Sequence, residues 1–279
     1  MRRKTLLWTT VGIVGFFTLI FDSSSAVSAA QEGIILCLQV VIPSLFPYFI
    51  FSNILVSSIR GSWAIPIVGF LGGYPAGAQA IYTGYQNKKI SKDEALNLLG
   101  YCNNAGPAFI FGMLSKLFHR WYIPWIILGI QGLSAITVKL TIIKGKTPKF
   151  QAQEREFNIS SIISKSAGAI VIVSSWVILF KIVIEILNKR LLYQFSPLTR
   201  LITIGVLELT NGCCSLQSVN SQTLRFLLST AFINFGGICV TMQTAAVTKE
   251  LGISKYILCK FLQTLFAILI SWIVSFVLF

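Results

Sequence analysis

Five long apolar runs limit what this chain can fold into: Leu6–Phe21, Gly33–Ile59, Trp121–Ile143, Ile159–Leu187 and Ile257–Phe279. A helix needs about 20 mainly apolar residues to cross the hydrocarbon of a bilayer. Backbone groups find no water there, so a spanning segment must close its hydrogen bonds as a helix or within a sealed barrel. The two-residue alternation of barrel strands is absent. The expectation is an all-α polytopic membrane protein. Composition agrees, because 11% charged residues against 54% hydrophobic ones is too little charge to cover a soluble domain of 279 residues.

A net charge of +14 could suggest nucleic acid. No basic patch interleaved with aromatics sits on a soluble module, and in membrane proteins excess Lys and Arg marks cytoplasmic loops. No nucleic-acid partner is expected. Cys37, Cys102, Cys213, Cys214, Cys239 and Cys259 form no C-x-x-C pair, and they read as small buried membrane residues rather than disulfides or metal ligands. His119 is the sole histidine. With no paired membrane Asp and no nucleophile–base set, an enzyme is not expected, and neither is a metal or cofactor. Arg2-Arg3-Lys4, the run to Phe21 and the small residues Ser25–Ala30 admit a signal peptide, but the run is long for one, and a retained first span is the preferred reading.

The charges suggest a topology. With Arg2–Lys4 inside, the first span emerges near Asp22 and the second returns to Arg60. The stretch Trp63–Tyr82 carries Pro66, Gly69, Gly72, Gly73, Pro75 and Gly77, and it reads as a re-entrant hairpin rather than a straight span. Glu94–Lys116 then crosses outward and Trp121–Ile143 returns to Lys144, Lys146, Lys149 and Arg155. Ile159–Leu187 crosses again, leaving Lys189, Arg190 and Arg200 outside against the general bias. Leu201–Leu216 re-enters, Arg225–Val247 crosses inward, and the last span ends outside. Most of the 23 Lys and Arg fall inside.

The two halves repeat one order of parts: long span, Gly-rich hairpin, interrupted helix, span. Hairpin Gly69–Gly77 matches Gly205–Gly212, and the interruption Cys102–Phe109 matches Phe232–Ile238. One half starts outside and the other inside, so the expectation is two inverted repeats within a single membrane domain 1–279. Its parts are an N-terminal span (1–26), repeat one (27–143), a cytoplasmic linker (144–158) and repeat two (159–279). Matched, Gly/Pro-broken apolar segments point to a midplane binding site, although small residues also serve close helix packing.

The candidate site residues come from these segments. Gly73, Gly77, Gly106 and Gly236 free the backbone, and Tyr74 could stack on a ligand or anchor at an interface. Asn103 and Asn104 stand before the Gly106-Pro107 break and could coordinate a solute or a sodium ion, or simply join helices. Glu208, flanked by Val206, Leu207 and Leu209, reads as an ion ligand, a proton carrier or a cap on the half-helix; its bland alternatives are an interfacial carboxylate or a pair with Arg225. Asn211, Asn234 and Gln243 are weaker candidates. Lys181 and Glu185 have the spacing of an ordinary surface pair. No Arg lies mid-membrane, so hairpin N–H groups would bind any carboxylate.

The segments Pro43–Phe49, Gly72-Gly73-Tyr74-Pro75-Ala76-Gly77-Ala78, Ile90–Ala95 and Cys102–Gly112 resemble the Gate-domain, or nucleoside-recognition, membrane proteins, closest to the sporulation branch that includes the stage V dipicolinate transporter. The resemblance implies an inverted-repeat fold like that of concentrative nucleoside transporters, with paired re-entrant hairpins around a central site. It also implies a place in the bacterial inner membrane, or in a forespore membrane. The resulting expectation is transport, by alternating access, of a small polar or anionic metabolite, dipicolinate-like or nucleoside-like. Na+ or H+ would be the coupling ion, and the partners would be the solute, the lipid bilayer and a homo-oligomer. The chain is shorter than that branch, which keeps open a non-transporting scaffold or subunit of a spore-envelope complex.

Overall fold

The computed structural model describes residues 2–58, 64–143 and 158–279. Arg60, Trp63 and nearly all of the expected linker, with Lys144, Lys146, Lys149 and Arg155, lie outside the described residues. Among the described residues the regular structure is entirely helical. Helix α1 (Arg2–Phe21) is followed at once by α2 (Ser23–Leu36), a π-helical turn (Cys37–Val41) and α3 (Ile42–Ser58). The second span therefore begins about three turns before the apolar run that announced it, because Ser and Ala are admitted readily into a membrane helix.

The first hairpin comprises α4 (Ala64–Gly72) and α5 (Ala76–Gln86). The interrupted helix that follows is α6 (Lys92–Cys102) and α7 (Pro107–Leu117), and then comes α8 (Ile123–Thr141). Ser91 and Glu94 form a reciprocal capping box at the start of α6. Pro107 sits in the first turn of α7, where its missing N–H is harmless, and it bars the helix from continuing back through Asn103–Gly106.

The second half opens with α9 (Ile159–Arg190), followed by the hairpin α10 (Pro197–Leu207) and α11 (Leu209–Ser215). The interrupted helix here is α12 (Gln222–Phe235) and α13 (Gly237–Thr248), broken at Gly236, whose left-handed φ of 79° ends α12. Helix α14 (Ser254–Leu278) closes the chain, packed against α6, α8 and α12, while α9 packs along α2 and α3.

Among the described residues, five stretches are long and apolar enough to cross a membrane: Ser23–Val41, Ile123–Thr141, Ile159–Arg190, Gln222–Leu251 and Ser254–Leu278. The distribution of side chains is the reverse of that in a water-soluble protein. Leu133, Leu140, Val171, Phe261, Leu269 and Phe276 are exposed, while Asn103, Asn104, Gln131, Asn234, Lys260 and Gln263 are buried. An apolar exterior is cheap only against lipid, and buried amides persist only when they bond one another. The protein is a multi-pass α-helical membrane protein.

Contacts between distant segments join ends that the charge pattern puts on one face. Asp22 accepts from Lys189 Nζ (3.2 Å) and from Arg190 Nε (2.9 Å). The two outer basic residues that ran against the bias thus have a local counter-charge. Arg120 donates to the Leu278 carbonyl (3.0 Å), at the negative end of the α14 dipole. Arg225 donates to the carbonyls of Val219 (3.1 Å) and Leu117 (3.3 Å). On the other face, Lys255 donates to Asn97.

Candidate functional site

Each hairpin is held against an interrupted helix by glycines that leave no room for a side chain. A Cβ on Gly69 would meet the Cys102 carbonyl oxygen at 2.2 Å, and one on Gly77 would meet Gly69 Cα at 3.0 Å. In the second half, a Cβ on Gly205 would strike the Phe232 ring at 2.2 Å, and one on Gly212 would meet Gly205 Cα at 2.4 Å. The tips meet the breaks in the same manner. A Cβ on Gly73 would stand 2.6 Å from Gly106 N, and one on Gly237 would stand 3.2 Å from the Leu207 carbonyl oxygen.

The tips and breaks surround one cavity. Its wall includes Gly73 and Tyr74 from the first hairpin, Gly106 from the first break, Glu208 and Thr210 from the second hairpin, and Gln243 from α13. Phe49, Val173 and Val177 close it on the side of α3 and α9. The cavity volume is about 30 Å³, room for about two waters. Tyr74 reaches across it, its hydroxyl donating to the Ile233 carbonyl at 3.4 Å.

A polar network without an acidic member lies beside this cavity. Lys260 Nζ, on α14, donates to Asn104 Oδ1 (2.6 Å) and Gln263 Oε1 (2.9 Å). Gln263 Nε2 donates to Asn104 Oδ1 (2.8 Å) and Asn234 Oδ1 (3.1 Å), joining the two interrupted helices through α14. Ser134 Oγ also donates to Asn234 Oδ1 (3.1 Å), and Gln131 Nε2 donates to the Ala105 carbonyl in the first break (2.8 Å). The carbonyl oxygen of Asn104 lies 3.6 Å from where Gly73 would carry a Cβ, so the network stands one layer behind the cavity wall.

Of the residues expected to form a site, Gly73, Tyr74, Gly106 and Glu208 line the cavity. Asn104 and Asn234 are buried in the network. Asn103 Nδ2 donates instead to Thr244 Oγ1 (3.0 Å) and the Tyr256 hydroxyl (3.3 Å), tying the first break to α13 and α14. Gly77 is spent on hairpin packing, and Gly236 lies where Tyr74 Oη would be 3.4 Å from its Cβ. Glu208 caps α11, accepting from Thr210 N (2.9 Å) and Asn211 N (2.6 Å), while the Asn211 side chain donates to it at 2.8 Å.

Two pairings that the sequence admitted are not formed. Arg225 is used on backbone carbonyls rather than on Glu208. Lys181 pairs with Glu32 of α2 at 2.9 Å rather than with Glu185, since a neighbouring helix comes nearer than the next turn of its own.

Lys260 and Gln263 escaped the sequence reading because they sit inside an apolar run whose length drew the notice. The signal was present. Tyr256, Lys260, Gln263, Ser271 and Ser275 recur every three or four residues, or a multiple of that, and so form one buried stripe of α14.

Helices broken at membrane depth around a buried cavity and a buried cation define a class: multi-pass membrane proteins with a polar centre sealed from lipid. The chain is similar to the sporulation integral membrane protein YlbJ of Bacillus subtilis (strain 168), with 23% identity over 92% of this chain and 81% of that protein. No family model and no solved structure matches the chain.

Proposed function

We propose that the chain carries a small polar or anionic solute across the membrane by alternating access, its two hairpins and two interrupted helices lining the path. One observation carries the reading. The cavity wall draws Gly73 and Tyr74, Gly106, Glu208 and Thr210, and Gln243 from all four broken elements. Irregular backbone at membrane depth is tolerated where it lines a cavity, and discontinuous helices meeting near the midplane are the recurrent construction of transporter sites. The matched packing of Gly69 with Gly77 and of Gly205 with Gly212 supports an inverted-repeat design, in which one half rocks against the other.

Between the two solute classes, Lys260 favours the anionic one. None of the ion pairs among the described residues includes it, so a carboxylate in the cavity would lie one layer away from a cation that has no acidic partner. The similarity to a sporulation integral membrane protein supports a role in sporulation. The preference for an anion makes a dipicolinate-like dicarboxylate the leading solute and a nucleoside its rival.

The test is uptake by the purified protein in liposomes, with labelled dipicolinate and labelled uridine. Saturable uptake of dipicolinate in preference to uridine is the expected result. Uptake of neither by correctly inserted protein would sink the transport reading and favour a scaffold in a spore-envelope complex.

A further inference from the structure

Asn104 was a candidate sodium ligand by sequence, but its side-chain oxygen already has an occupant. Lys260 Nζ lies 2.6 Å from Asn104 Oδ1 and 2.9 Å from Gln263 Oε1, and 5.9 Å from the centre of the Tyr256 ring. Lys260 is 2% exposed. An ammonium at membrane depth is costly unless it does something there. What it does here is geometric: it holds amide oxygens from α14 and from the first break around one positive charge, and Gln263 extends that hold to Asn234 in the second break.

Transporters hold a coupling cation with the carbonyl oxygens of unwound helices, and the side-chain amides of Asn104 and Gln263 present oxygens of the same kind beside the first break. We infer that Lys260 is a resident cation: its ammonium takes the place between Asn104 and Gln263 that a coupling sodium ion would otherwise fill, and the protein works without sodium. The inference rests on the transport reading for its functional half only. A dissociable ion arrives and leaves with each cycle, whereas this charge is tied to α14 by its own stem. Solute binding and release then proceed with the amine nitrogen always in that place.

Two measurements test it. Uptake of labelled dipicolinate and uridine into proteoliposomes is compared in sodium chloride and in choline chloride at equal ionic strength. The thermal stability of the detergent-purified protein is compared in the same two salts. The wild-type chain should show uptake within twofold between the salts and an unchanged melting temperature. Lys260→Ala leaves the oxygens without their cation, and sodium should raise its melting temperature over choline by about 3 °C or more. Lys260→Arg keeps a tethered charge and should stay indifferent to sodium.

A more than twofold gain in wild-type uptake in sodium chloride over choline chloride would overturn the inference. So would sodium stabilisation of the wild type, or a Lys260→Ala protein that folds and ignores sodium. If Lys260→Ala does not fold, the wild-type and Lys260→Arg comparisons still decide. If the wild type moves neither solute, the transport reading fails while the stability comparison continues to judge Lys260.

Discussion

Replacing Gln263 by leucine keeps the volume of the side chain nearly constant and removes its polar end. Gln263 is fully buried. It donates to Asn104 Oδ1 and Asn234 Oδ1 and accepts from Lys260, at 2.8, 3.1 and 2.9 Å. Interhelical hydrogen bonds in membranes average about 0.6 kcal/mol each, so the two amide bonds account for about 1 kcal/mol. Asn104 keeps Lys260 as a donor and Asn234 keeps Ser134, so neither oxygen is stranded. The ammonium is affected more: it loses one of its two acceptors, and a bond to a charged group contributes about 1.5–3 kcal/mol.

Gln263→Leu should therefore destabilise the protein by about 2.5–4 kcal/mol, read from unfolding in mixed detergent micelles followed by helicity. In a Lys260→Met, Asn104→Leu background, where neither the charge nor the Asn104 oxygen can be stranded, the same substitution should cost only about 0.6 kcal/mol, its bond to Asn234. The coupling energy between Gln263 and the Lys260–Asn104 pair is then about 2–3.5 kcal/mol. A single-substitution effect below about 0.5 kcal/mol, or a coupling below that figure, would show that Lys260 does not depend on Gln263 and that the polar network is not a unit.

Gly73→Ala should destabilise by at least about 2 kcal/mol and abolish solute uptake. The position has φ +65°, and the new Cβ would lie 2.6 Å from Gly106 N at the meeting of tip and break. A Gly73→Ala protein with wild-type stability in the same unfolding assay would refute the close approach. Asp22→Asn should lower thermal stability at neutral pH, by less than Gln263→Leu does, since Lys189 and Arg190 are more than half exposed. Their hydrogen bonds, that of Arg190 first, hold the Asp22 carboxyl below the usual carboxylate range. The clasp thus contributes above about pH 4, the unfolded value, and is lost as the pH falls further. A pH titration of melting temperature should show this acid sensitivity in the wild type and not in Asp22→Asn.

The spans and their breaks were legible in the sequence because length, apolarity and Gly/Pro placement act locally. Pro107 announced the start of α7, and Gly236 marked the end of α12. The partners of polar groups were not legible, because they are chosen by which helices come to lie side by side. Lys181 could not be read as the partner of Glu32 without knowing that α2 lies along α9. Glu208, read among several roles, has its carboxylate committed to the first turn of α11, a local bond that the following Thr210 and Asn211 could have suggested. Lys260 was hidden by the apolarity around it, although its place in the α14 stripe is a matter of spacing alone.

Helix α9 has 32 residues, about 48 Å at 1.5 Å per residue, whereas the hydrocarbon of a bilayer is about 30 Å thick. Even tilted by about 40°, the upper end of what membrane helices adopt, it would leave about six residues beyond the lipid. Its inclination is set by the helices it packs against and by the charged residues at its end. Helix α2 is bound to it by Glu32–Lys181 and, just ahead of its first residue, by Asp22 with Lys189 and Arg190, so the two lean together. Val173 and Val177 of the same helix form part of the cavity wall. Any change of bilayer thickness that re-tilts α9 would thus act on the cavity through Val173 and Val177, at a distance from the lipid itself.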